Sequence, residues 1–164
     1  MQDKIKILMV CLGNICRSPM AEFMMKELVA REGRADKFVI ASAATSTEEI
    51  GNGIHRGTRR ILQQNGIYCE GHRAVQMTRA DYEKYDYLIG MDEANIRNML
   101  RIVGEDREKK FISFWILPGA RGRLQIRGTQ VTLKPPTPMS GRGVRRSMPI
   151  LQKKRAGYRF VTSF

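Results

Sequence analysis

No aspartate or glutamate follows Glu108 in this 164-residue chain. All 16 acids lie between Asp3 and Glu108, and residues 1–110 hold 18 Lys and Arg, so that part carries a net charge of only +2. Residues 111–164 hold 11 Lys and Arg, no acid, and five of the six prolines. The formal charge of +13 therefore belongs mostly to the tail, and it does not make the body a nucleic-acid-binding domain. The tail does not interleave aromatics with charge over a folded platform, which leaves only non-specific, salt-sensitive contact with nucleic acid. Cysteine is scarce as well. Three cysteines are too few and too odd in number for a disulfide framework, and fit a reduced, cytoplasmic setting. No apolar run approaches the ~18–20 residues of a membrane span. Met1-Gln2-Asp3-Lys4 runs into a short apolar segment with no small-residue cleavage site, so no signal peptide is expected.

What is present suits one globular domain of ordinary composition, 42% hydrophobic and 27% charged. Lys4 to Val10 is a short apolar run with β-branched members, a buried strand. Cys11 to Ser18 reads as a loop, and Pro19 to Arg31 as a helix ending near Gly33. Strands follow over 38–43, 87–90 and 110–114, and helices over 58–65, 78–85 and 92–102. This short alternation predicts an α/β sandwich, a parallel four-stranded sheet with helices on both faces. The rhythm stops after Phe114. Residues 1–114 are expected to form the domain, and 115–164 a disordered basic tail rich in Pro, Gly and Arg. Over 118–147 no period is visible, and disorder is expected.

The informative segment is Val10-Cys11-Leu12-Gly13-Asn14-Ile15-Cys16-Arg17-Ser18-Pro19. A loop between a strand and a helix turns successive N–H groups inward and aims a helix N-terminus at its centre, a nest for a tetrahedral dianion. Leu12, Gly13, Asn14, Ile15, Cys16 and Arg17 would form it. Gly13 can adopt a backbone angle that other residues avoid. Arg17 can offer two parallel donors to phosphate oxygens. The same surroundings should favour Cys11 as a thiolate. Ser18 can hydrogen-bond the sulfur and ease its departure, and Asn14 can brace the loop. A Cys and an Arg at this spacing also arise by chance. The preceding strand, the Ser-Pro-helix that follows and the Gly and Asn within favour an oxyanion ligand.

VCLGNICRSPMAE resembles the signature of the low-molecular-weight protein tyrosine phosphatases. The resemblance continues through Ser42-Ala43-Ala44-Thr45-Ser46, Asn65-Gly66-Ile67, Gly71-His72-Arg73-Ala74 and Asp86-Tyr87-Leu88-Ile89-Gly90-Met91-Asp92, about two-thirds of the chain. It implies a flavodoxin-like fold and two-step hydrolysis of a phosphotyrosine protein or small aryl phosphate through a phosphocysteine, with no metal and no cofactor. By the same resemblance Cys11 is the nucleophile, Arg17 the transition-state clamp, and Asn14 and Ser18 the supporting groups. Leu12 and the Thr47-Glu48-Glu49 loop would border the aromatic slot. Cys16 matches a second loop cysteine that some members use as a redox partner. Cys69 reads as a packed small hydrophobe, His55 and His72 as structural or exposed, and Asp92 as a helix cap or a brace for the sheet. The ten methionines read as core filler.

The resemblance breaks at the C-terminal side. The family places its general acid in an Asp-Pro-aromatic loop, and no Asp follows Asp106 here. No general acid can be assigned, and the tail shows no amphipathic closing helix. A reverse reading of the genetic code accounts for both. When the third base of each codon is joined to the first two of the next, the junctions from Leu124–Gln125 through Pro136–Thr137 permit Ala-Asp-Pro-Trp-Tyr-Thr-Gly-Asn-Phe-Glu-Ala-Thr-Tyr. Junctions from Trp115 onward permit Leu-Asp-Phe-Thr-Gly upstream of it. The tail thus resembles a phosphatase C-terminus in a shifted frame, with the slip near Phe111–Phe114. The other readings are a genuine basic tail, a non-catalytic phosphate- or oxyanion-binding remnant, and a thioredoxin-coupled arsenate reductase. The last needs a relay of cysteines, and only Cys69 lies beyond the first loop.

Overall fold

A computed structural model describes residues 4–114 in full and, beyond them, the backbone of four strands over 124–127, 130–133, 150–154 and 157–161. The chain divides into two units, Met1–Phe114 and Trp115–Phe164.

The first unit is built on a strand that is apolar almost throughout. β1 (Ile5–Cys11) is buried from Ile7 onward, as a central parallel strand covered on both faces must be. β2 (Phe38–Ala44) pairs with it on one side and β3 (Tyr87–Gly90) on the other, with β4 (Phe111–Ser113) at the far edge. The order is β2-β1-β3-β4 and every pairing is parallel. α1 (Arg17–Arg31) joins β1 to β2 and packs on both, with α2 (Arg56–Gln64) against it. α4 (Glu93–Val103) joins β3 to β4 and packs on those, with α3 (Arg79–Lys84) beside it. The two crossovers leave the centre in opposite directions. Right-handed connections therefore put α1 and α4 on opposite faces. This is the flavodoxin-like α/β sandwich expected from the sequence.

Leu8, Val10, Leu88, Met77, Tyr82, Tyr85, Met99 and Val103 form the core under α3 and α4. Gly90 has a packing reason. A Cβ there would meet Ile96 Cδ1 at 2.7 Å, so any larger residue would push the Ile96 side chain of α4 aside. The starts of α1 and α2 differ from the sequence expectation by two residues. α1 begins at Arg17 rather than Pro19, because a proline is tolerated throughout the first turn, where N–H groups lack intrahelical partners. α2 begins at Arg56, capped by His55 Nδ1, which accepts from the Gly57 amide at 3.2 Å.

In the second unit, β5 (Leu124–Arg127) pairs antiparallel with β6 (Gln130–Leu133), and β7 (Ile150–Lys154) with β8 (Gly157–Val161). Both pairs fall inside 115–164, the tail for which disorder is the sequence expectation. Their polar and apolar residues mix over four or five positions with no continuous apolar run to mark a strand. The rest of that stretch lies outside the described residues. Among the described residues no helix is long and apolar enough to cross a membrane.

Candidate active site

β1 and β3 are the neighbours between which the chain changes direction across the sheet, and ligands bind at the carboxyl ends of strands at such a switch point. The loop Leu12–Cys16 leaves β1 at that point. Its shape is set from outside. Thr45 N donates to Cys11 O at 2.8 Å, Ser46 N to Leu12 O at 2.9 Å, and His55 N to Ile15 O at 2.9 Å. The His72 ring donates through Nε2 to Asn14 O at 2.8 Å. In a planar trans peptide the C=O of one residue and the N–H of the next point opposite ways. Four carbonyls held outward therefore turn the N–H groups of Leu12, Gly13, Ile15 and Cys16 inward. The helix behind them is left open for an anion. Cys16, the N-cap of α1, makes no side-chain cap, and the first turn holds no acid, so the positive end of the helix is not neutralised. α4, by contrast, is capped by Asp92 and has Glu93 in its first turn.

Cys11 Sγ lies 3.0 Å from Ser18 Oγ and takes the Asn14 amide at 3.3 Å. Asn14 is the keystone. It is fully buried and has φ +56°, a left-handed conformation for a residue with a side chain. Val75 N donates to its Oδ1 at 3.1 Å, which fixes the direction of the amide. Its Nδ2 then donates to Ser18 Oγ at 2.9 Å and to Ser42 Oγ at 2.8 Å. With its oxygen taking the Asn14 donor, the Ser18 hydroxyl can direct its proton to the sulfur at 3.0 Å, with Ala43 O further off at 3.5 Å. Ser42 in turn donates to the buried carboxylate of Glu22, which also holds Lys26. The sequence reading gave the unusual backbone angle to Gly13, and the structure gives it to Asn14. Three side-chain hydrogen bonds over-determine that position. Gly13 serves space instead, since a Cβ there would stand 3.1 Å from Glu49 Cγ.

On the open side, Arg17 Nη1 donates to Asp92 Oδ2, while Asp92 Oδ1 takes the Asn95 amide at 2.7 Å. Burial pushes the Asp92 carboxyl up, but hydrogen bonds from Arg17 and Asn95 outweigh it and hold the group below the usual carboxylate range. Asp92 thus caps α4, as expected, and also aims the Arg17 guanidinium, a role with no local sequence signal. Cys16 is half-buried with the Thr58 hydroxyl facing it, and burial is the main cause pushing its thiol up. Cys11, Cys16 and Cys69 are all free thiols, and Cys69 is buried. Leu12, Ile50 and Val75 stand exposed. The segment 46–52 that carries Thr47, Glu48, Glu49 and Ile50 is tied between the loop and residues 72–75 by Ser46 N to Leu12 O, Gly51 N to Ala74 O and Ala74 N to Asn52 O. Among the described residues no group of three His, Cys, Asp or Glu is placed to hold a metal ion.

A family model described as low molecular weight phosphotyrosine protein phosphatase matches residues 6–123. The chain belongs to the low molecular weight phosphotyrosine protein phosphatase family. It is 43% identical over 100 residues to the low molecular weight protein-tyrosine-phosphatase YfkJ of Bacillus subtilis, covering 61% of this chain and 64% of YfkJ. It is 45% identical over 95 residues to the low molecular weight phosphotyrosine protein phosphatase of Rattus norvegicus, covering 58% and 60%. The chain thus spans less than two thirds of the length of these curated relatives. The crystal structure of YfkJ superposes with a TM-score of 0.66 at 39% identity, covering 68% of this family member and 70% of that chain. The structure of SP-PTP from Streptococcus pyogenes gives 0.62 at 43%, covering 67% and 71%.

Proposed function

We propose that this chain is a protein tyrosine phosphatase that cleaves phosphotyrosine or another aryl phosphate through a phosphocysteine on Cys11. The observation that carries the reading is the Cys11 sulfur held by the Asn14 amide and the Ser18 hydroxyl within the loop before an uncapped helix. Cys11 Sγ attacks phosphorus and the bond to the aryl oxygen breaks. The inward N–H groups of Leu12, Gly13, Ile15 and Cys16, together with Arg17, bind the equatorial oxygens as charge develops on them. Water then attacks phosphorus, and the S–P bond breaks as Ser18 hydrogen-bonds the departing sulfur. Cys11→Ser should abolish turnover of para-nitrophenyl phosphate while inorganic phosphate still binds. A rate near that of the parent would move the nucleophile elsewhere, to Cys16 first. Three free thiols support a reducing, cytoplasmic setting.

A second reading, an oxyanion-binding remnant, is favoured by one observation: no Asp follows Asp106 to protonate a leaving phenolate. Turnover of an aryl phosphate separates the two. We further propose that residues 115–164 are a phosphatase C-terminus read in a shifted frame. The run of junctions permitting an Asp-Pro-Trp-Tyr loop and the absence of acid from the tail support this. Gene sequences of this chain and its near relatives test it, and a continuous frame giving this same tail in the relatives would refute it.

A further inference from the structure

α2 carries Arg56, Arg59 and Arg60 and no acid. Arg59 meets Arg73 across Gly53. Arg59 Nη2 and Arg73 Nη1 each lie 3.5 Å from the point where a Gly53 Cβ would stand, so they are no further apart than twice that distance. Both side chains belong to exposed residues. Like charges this close repel, and a neutral surface sets an acid between them. Here the described ion pairs all lie elsewhere. Glu70, which shares the surroundings of Cys69 with Arg59, takes the Tyr68 hydroxyl at 3.5 Å instead. Arg73 is held in place. Its Nη1 donates to His72 O at 2.9 Å, and the His72 ring holds Asn14 O of the phosphate loop. Gly53 lies two residues before His55, whose N–H holds Ile15 O, so the pair stands beside the same loop.

We propose that Arg59 and Arg73 form a second anion subsite beside the phosphate loop, which takes a carboxylate or a second phosphate flanking the phosphotyrosine of a peptide substrate. The inference rests on the phosphatase reading above and names the class of substrate. A peptide whose phosphate fills the loop crosses the rim in extended form, advancing ~3.3–3.6 Å per residue. A side chain a few places from the phosphotyrosine therefore reaches the pair. The guanidinium fork suits carboxylate and phosphate alike.

The test uses the full chain carrying Cys11→Ser, which binds without turning over. Affinities are measured by fluorescence anisotropy for phosphotyrosine peptides flanked by Asp and Glu, or by Ala at the same places, and by calorimetry for inorganic phosphate. Each is repeated with Arg59→Ser and Arg73→Ser added. The acidic peptide should bind the parent more tightly than the neutral one, and the added changes should weaken it by roughly 3- to 10-fold, the scale of one or two exposed charge pairs. The neutral peptide and inorganic phosphate should be unaffected, and added salt should shrink the preference. The basic tail is present in every sample and cancels only between parent and substituted protein, so the pair is read from the loss on substitution. A parent that does not distinguish the peptides, or a preference that survives both substitutions, overturns the subsite while leaving the phosphatase reading intact. A parent that fails to bind inorganic phosphate overturns both.

Discussion

The chain up to Phe114 and the chain after it obey different rules. In the first part Lys and Arg nearly balance the acids, apolar runs become central parallel strands, and Cys11, Leu12, Asn14, Ile15, Arg17 and Ser18 have partners from other elements. In the second part there is no acid, and regular structure is limited to short antiparallel pairs among the described residues. On the proposed reading, the difference teaches that the binding and nucleophilic half of the site is self-contained within the first part, whereas the proton-donating half would come from the second.

The largest way to break this contrast is a frame-restored protein, in which the C-terminus that the proposed frame would encode replaces the tail. General acid catalysis is typically worth about 10²–10⁴-fold. It matters for a leaving tyrosine, whose pKa is about 10, and little for para-nitrophenolate, which leaves as a stable anion. The frame-restored protein should therefore gain far more kcat/KM on phosphotyrosine than on para-nitrophenyl phosphate. An unchanged ratio between the substrates would remove the lost loop from the chemistry. Next in size is Arg17→Lys, which keeps the charge but loses the fork. It should lower kcat/KM by roughly 10²-fold, and an effect of a few-fold would place Arg17 outside the transition state.

Asn14→Ala sharpens the contrast from the stability side. It leaves the part-buried Val75 amide without its acceptor and an alanine in a left-handed conformation. Urea denaturation should show a loss of about 2–4 kcal/mol, and a loss under ~0.5 kcal/mol would mean that the loop relaxes without its brace. Smallest is Asp92→Asn. The folded carboxyl titrates below its ordinary range. Its contribution is therefore complete at neutral pH and is lost only as pH falls below about 4 and through the lowered folded value. At pH 7 the variant should cost a few-fold in kcat/KM, and its stability should fall less steeply than the parent's on acidification. Parallel acid-unfolding curves would remove Asp92 from that linkage.

Most of the sheet was legible because parallel strands leave long apolar traces: Lys4 to Val10 and Tyr87 to Gly90 announce themselves. The Cys11-to-Arg17 loop was legible because its own residue types and spacing, between an apolar strand and a Ser-Pro helix start, carry the pattern. What could not be read is whatever a distant element decides. The left-handed angle at Asn14 is held by Val75, Ser42 and Ser18. The aim of Arg17 is set by Asp92, and the outward carbonyls of the loop are held by Thr45, Ser46, His55 and His72. None of these pairs has a spacing that marks it in the sequence.

The order of synthesis gives those cross-chain partners a consequence. Every group that shapes the phosphate loop, from Glu22 and Ser42 through His72 and Val75 to Asp92, is made before Phe114. A ribosome that changed frame near Phe111–Phe114 would already have delivered all of them. The anion nest would be complete in the nascent chain while its proton donor was still unread. Such a slip would spare the capacity to hold phosphate and fall on the capacity to release a phenol, so the two would be lost separately rather than together.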